Sequence, residues 1–348
     1  MKFFDSDRLQ VRESNMELLR LIAMFMVVMD HVLLVGDVPL MSYHGPLTGL
    51  MISRYLGLSI TFVGVNLFVM ISGYYGIKFR WSKLIGLYLT CVFYGLLCEG
   101  VHMLYTPDFG WKHNTLYVIQ NALSNKMWWF INTYICLMLF SPLLNKALDN
   151  ISKRYHQGII VLLLLQVCFF DWGWQVCNNF INFLCIYVIG RYLNKYINND
   201  FVIKWRWLFL LLWILCISVF FCLSILHTKG YCSLLLWEYN NPLLIIGAIG
   251  LILFFSSVHF SSRLINWLAS GTLAVYLIHV GPWVGIYLFS FLQSSIPQLS
   301  DVMYWPFVIG IGVGMVVLFS MIDIIRRWLL LPIMDILKRF IKSDSYPF

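Results

Sequence analysis

Apolar runs of membrane-spanning length, separated by short polar breaks, make up most of this chain. A helix needs about 20 mostly apolar residues to cross a bilayer. By that criterion ten helices are expected, over about 16–35, 56–75, 84–105, 128–145, 158–171, 179–196, 206–227, 241–258, 269–291 and 303–325. The fifth run is the shortest, apolar only from Gly158 to Phe170. The pattern predicts an all-α integral membrane protein with about ten transmembrane helices in a single polytopic domain, 1–348. Its core would be about 14–330, followed by a cytoplasmic tail over 331–348. Ser14 and Glu17 have the spacing of a capping box, which would start the first helix at the interface. That first run reaches Val35 without a small-residue cleavage site, so a retained anchor is expected rather than a cleaved leader.

Polar interruptions of the apolar pattern are most informative in the first helix, which carries Arg20, Asp30 and His31. Ionisable groups at membrane depth are costly and mark candidate functional sites. Arg20 and His31 are 11 residues apart. That is close to three helical turns, which puts them on nearly one face, roughly 16 Å apart along the axis. One stripe therefore carries a cation near one membrane surface and an imidazole towards the other. Asp30 points about 100° away from His31 around the helix and need not touch its ring.

Composition agrees with a membrane protein: 60% of residues are hydrophobic and only 11% charged, with mean hydropathy +0.79. Soluble domains are typically about 25% charged. The net charge of +8 would suggest nucleic acid, but its distribution argues otherwise. With the N-terminus inside, 20 of the 24 Lys and Arg residues fall on cytoplasmic segments, leaving Arg54, Lys112, Lys126 and Lys229 outside. This is the positive-inside pattern, with both termini cytoplasmic. No nucleic-acid partner is expected. The nine cysteines lack metal-ligand spacing and read as small buried hydrophobes, so no metal is expected.

Four groups of residues could carry chemistry. His31, with Asp30 beside it, could act as a general base, since a neutral imidazole suits that work near neutral pH. The plainer reading is a buried histidine bonded to a neighbouring helix. Lys78, Arg80 and Lys83 follow the second run; they could anchor the chain at the inner surface or bind the phosphates of a nucleotide-like donor. Trp128, Trp129 and Tyr134, after Lys126, could form an interfacial belt or a platform for sugar rings. Tyr276 and His279 place a second histidine inside the membrane. Glu99 and His102, and Asn178, Asn179 and Asn182, are candidates for an outward cavity. Gly310, Gly312 and Gly314 would allow close helix packing. No GxSxG, HExxH, Walker A or Rossmann glycine pattern stands in a suitable context.

Taken together, several segments resemble the membrane-bound acyltransferase-3 family of bacterial envelope enzymes. NMELLRLIAMFMVVMDHV looks like its opening signature, and NLFVMISGYYGIKFRWSK like its Ser-Gly-aromatic motif with a basic loop. WWFINTYICLMLFSPLLN resembles its Trp-Phe…Tyr…Ser-Pro segment, and VYLIH its Tyr-Leu-x-His motif, all in family order. The resemblance implies ten core helices in the bacterial cytoplasmic (inner) membrane. It also implies transfer of an acyl group, often acetyl, from acetyl-CoA or another acyl-CoA to a glycan or glycolipid hydroxyl. Under it, His31 is the base, Arg20 binds the acyl donor or holds the cytoplasmic end of the channel, and Arg80 and Lys83 occupy a family Arg-x-x-Arg pair, with Lys in the second place. Asp323 only loosely echoes a late acidic position. Membrane lipid is an expected contact, and a homo-oligomer or envelope-synthesis partners stay open. The rival classes are a glycan or anion carrier whose path Arg20 and His31 line, and a structural subunit of an envelope-synthesis complex.

Overall fold

The computed structural model describes residues 13–37, 40–43, 45–105, 116, 119–120, 128–169, 175–231 and 237–340, without the side chains of 175–178, 334 and 336–340. The described residues form thirteen α-helices and no strand. They are α1 (Asn15–Leu34), α2 (Gly49–Thr61), α3 (Gly64–Tyr75), α4 (Trp81–Tyr105), α5 (Trp129–Asn150), α6 (Lys153–Phe169) and α7 (Gln175–Tyr196). After these come α8 (Asn199–Thr228), α9 (Pro242–Ser256), α10 (Arg263–Ala269), α11 (Thr272–His279), α12 (Val284–Ser295) and α13 (Asp301–Phe340).

A helix occupies each of the ten apolar runs, but not every run makes one straight rod. On length and composition, five segments can cross a membrane: Gly49–Tyr75 (α2 with α3), α4, α5, α8 and Asp301–Ile333 of α13. A sixth is Arg263–His279 with Val284–Gln298, bent by 79°. The ninth predicted run is therefore broken at 280–283, where hydropathy stays high but Gly281, Pro282 and Trp283 interrupt the helix. Every window of 18 residues in α1 contains Glu17, Arg20 and Asp30, so this helix depends on burial by its neighbours rather than on its own apolarity.

That burial is what the fold provides. α1 packs against α2, α3, α9, α10, α11 and α13. Leu19, Ala23, Val28, Val32 and Leu33 of α1 are fully buried. Gly64 brings α3 close, since a Cβ there would lie 2.9 Å from the Ala23 carbonyl. The outer helices present apolar side chains instead, among them Leu208, Leu211 and Leu215 of α8 and Val313 and Val317 of α13. Exposed apolar faces of this kind are suited to lipid contact.

Three local expectations need correction. Ser14 precedes α1 as expected but makes no side-chain cap; its hydroxyl donates to Asn266 and accepts from the Ser262 amide, while Glu17 pairs with Arg20. A tertiary contact has displaced the local one. Of the three α13 glycines only Gly312 faces a helix, where a Cβ would meet Met29 and Phe25; Gly310 and Gly314 have open space. Trp128 is fully buried rather than interfacial.

Candidate functional site: a histidine pair at a helix break

The site is built where α1 meets the end of α11. His31 is half-buried, and its Nδ1 lies 2.7 Å from the Val27 carbonyl one turn earlier. A carbonyl oxygen can only accept, so Nδ1 of the neutral ring carries the proton and Nε2 holds the free lone pair. His279, fully buried, is fixed in the same tautomer by the Val275 carbonyl, 2.6 Å from its Nδ1. Its unprotonated Nε2 faces His31 Nδ1 at 3.4 Å, with the ring centroids 5.0 Å apart at 75°. Two backbone carbonyls thus orient both rings. They leave His31 Nε2 as the free basic nitrogen of the pair.

Asp30 faces elsewhere. Thr61 Oγ1 donates to its Oδ1 at 2.5 Å, while Oδ2 is buried with no partner. Arg20, a quarter exposed at 26%, pairs with Glu17 on its own helix. From Tyr134 a wall of rings runs towards the histidines: Phe130 stacks on Tyr134 at 6.0 Å, Tyr276 lies tilted against Phe130 at 5.7 Å, and His279 meets Tyr276 edge-on at 6.0 Å. Ser72 Oγ sits 3.3 Å from the Tyr134 hydroxyl. The His31 end of the stripe therefore meets, through His279, an aromatic surface that the spacing of α1 alone did not reveal.

Lys78 and Arg80 are exposed on the turn between α3 and α4 and Lys83 in the first turn of α4, and among the described residues no carboxylate pairs with them. Lys83 Nζ donates to the Lys78 carbonyl at 3.2 Å, which gathers the cations. They lie around the N-terminus of α4, the positive end of the helix dipole. This donor set fits phosphate oxyanions.

At the other end of α4, Trp283 Nε1 donates to Glu99 at 2.9 Å, and its ring lies flat on His102 at 3.7 Å. His102 Nδ1 lies 2.7 Å from the Tyr287 hydroxyl. Trp283 adopts φ +66°, a left-handed conformation costly for a bulky residue. Trp129, 38% exposed, stacks on Tyr239 at 5.6 Å. Asn182 is buried and Asn179 half-buried; Lys126 and the Asn178 side chain lie outside the described residues. Asp323 is buried and takes hydrogen bonds from Tyr94, Arg326 and Arg327, fastening α13 to α4.

Sequence reasoning named His31 and His279 separately and could not pair them, because they stand 248 positions apart in the chain. It missed Thr61 and Trp283, which are ordinary residues within apolar runs, and had Ser72 only as the serine of the Ser-Gly-aromatic motif.

An all-helical fold wrapped around a polar α1, with a histidine pair at its break, defines an integral membrane protein with a polar site inside. The chain belongs to the acyltransferase-3 family, whose family model, described as an acyltransferase domain, matches residues 13–323. It is thus a multi-pass membrane acyltransferase. No curated protein and no solved structure matches it.

Proposed function

We propose that the protein transfers an acyl group, acetyl by the family resemblance, from cytoplasmic acyl-CoA to a hydroxyl of an envelope or exopolysaccharide glycan. The observation that carries this reading is the tautomer of His31: Val27 holds its Nδ1 proton, so Nε2 is the free base. In this reading ten helices cross the bacterial cytoplasmic membrane with both termini inside. The positive-inside charge pattern supports that topology.

Lys78, Arg80 and Lys83 would hold the donor's phosphates, and Arg20 the inner end of the path. The acyl end would lie along the wall of Tyr134, Phe130 and Tyr276. His31 Nε2 takes the acceptor's proton as its oxygen bonds to the thioester carbonyl carbon. The C–S bond then breaks, and the imidazolium returns the proton to the leaving thiolate. His279 Nε2 accepts weakly from His31 Nδ1–H and steadies the ring through both steps. Asp30, turned towards Thr61, serves the acceptor side or the packing of α1 on α2 rather than the ring.

The test uses inside-out membrane vesicles given acetyl-CoA labelled in the acetyl group. Label is expected to appear in envelope glycan as an alkali-labile ester. Glycan that crosses the membrane unlabelled would instead favour a carrier.

A further inference from the structure

Lys78 and Arg80 sit on the short turn before α4 and Lys83 in its first turn, and mobile cations bind an anion weakly because ordering them opposes binding. The structure shows how the turn is fixed. Ile77, the residue just before Lys78, has both backbone polar groups tied into one ring of hydrogen bonds. Its amide donates to the Tyr187 hydroxyl at 2.9 Å. That hydroxyl donates to Asn145 Oδ1 at 2.6 Å. Asn145 Nδ2 donates to the Ile77 carbonyl at 2.9 Å, which closes the ring. The direction is forced throughout: a carbonyl can only accept, so the amide nitrogen of Asn145 faces it and the amide oxygen is left for Tyr187.

The surrounding backbone is built to allow this. Gly76 has φ +73°, which turns the chain sharply out of α3. A Cβ there would also lie 2.8 Å from Arg191 Nη1. One turn before it, a Cβ on Gly73 would stand 2.4 Å from the Tyr187 carbonyl; on Gly190 it would stand 2.5 Å from the Met70 carbonyl. Paired glycines therefore bring α3 and α7 into backbone contact, close enough for Tyr187 to reach past the end of α3. Tyr187 is fully buried, yet its hydroxyl is used entirely on this turn and its neighbour Asn145.

We infer that Tyr187, with Asn145, is a positioning residue for donor binding: it holds the Lys78–Arg80–Lys83 turn in the shape that receives the phosphates of acyl-CoA. This rests on the donor reading proposed above. Neither residue touches the donor. They act by fixing residue 77, so that the three cations converge at the start of α4 without ordering at the moment of binding.

The test is acetyl-CoA binding by calorimetry to the full chain in lipid nanodiscs. Four proteins are compared: wild type, Tyr187→Phe, the triple variant Lys78→Ala/Arg80→Ala/Lys83→Ala, and the two combined. Tyr187→Phe keeps the ring's packing and loses only its hydroxyl, and is expected to raise Kd about fivefold. In the triple-variant background the same change should have no further effect, which a merely structural role would not produce. Asn145→Ala should reproduce the loss, and serves if Tyr187→Phe proves unstable in thermal unfolding. Wild-type Kd in Tyr187→Phe and Asn145→Ala, with binding weakened in the triple variant, would overturn the inference and leave the donor site standing. Failure of wild type to bind, or undiminished binding by the triple variant, would overturn the donor reading itself.

Discussion

At the scale of single residues, the tautomer of His31 decides what the site can do. Val27 fixes the proton on Nδ1, and His279 adds a second acceptor on the same side. Truncating His279 removes that support and leaves space beside the ring. His279→Ala is therefore expected to lower kcat by up to about a hundredfold, through misplacement of His31 by a fraction of its reach. Acetyl-CoA affinity should stay unchanged. Steady-state transfer measured alongside direct binding checks this; a loss of affinity with kcat intact would place His279 in the donor site. Much at this scale was legible in advance. The 11-residue step from Arg20 to His31 could be read because helical periodicity makes distance along one helix predictable. Partners on other helices could not be: Thr61 on Asp30, or Tyr187 on Ile77, are polar atoms within apolar runs, and nothing in the local pattern says which way they turn.

Single elements show the same division. Apolar runs located a helix in every expected place, yet the broken ninth run escaped notice because Gly281, Pro282 and Trp283 leave its hydropathy intact. The break is what brings the end of α11, with His279, against α1, while α12 carries Phe289 to within 6.4 Å of the His31 ring. Glycines divide into those that touch and those that do not. Gly73→Ala drives a Cβ into the Tyr187 backbone, which cannot swing aside as a side chain could, and is expected to cost about 1–3 kcal/mol. Gly310→Ala meets nothing within 4 Å and should be neutral or slightly stabilising, since alanine favours the helix. Thermal unfolding of both variants in the same detergent checks the contrast. Equal stability would mean that α3 and α7 are not in backbone contact.

Across the whole molecule, burial and charge act on opposite ends of one problem. A helix with three charged residues and a histidine is a poor membrane span by itself. Surrounded by α2, α3, α9, α10, α11 and α13, it becomes the polar axis of an otherwise apolar bundle. In the proposed topology the cations at the start of α4, the Arg20–Glu17 pair and the Asp323–Arg326–Arg327 cluster would belong to the cytoplasmic side. The histidine pair stands deeper along α1. An acyl donor entering among the cations and an acceptor arriving at His31 would then meet inside the membrane without either crossing it. The central claim is that His31 is the base at that meeting point. The most direct test is acetyl transfer from labelled acetyl-CoA into envelope glycan, with wild-type and His31→Ala protein inserted at equal levels. Loss of a base predicts a fall of at least about a hundredfold, with acetyl-CoA binding preserved. A His31→Ala protein that transfers acetyl at the wild-type rate would contradict the account.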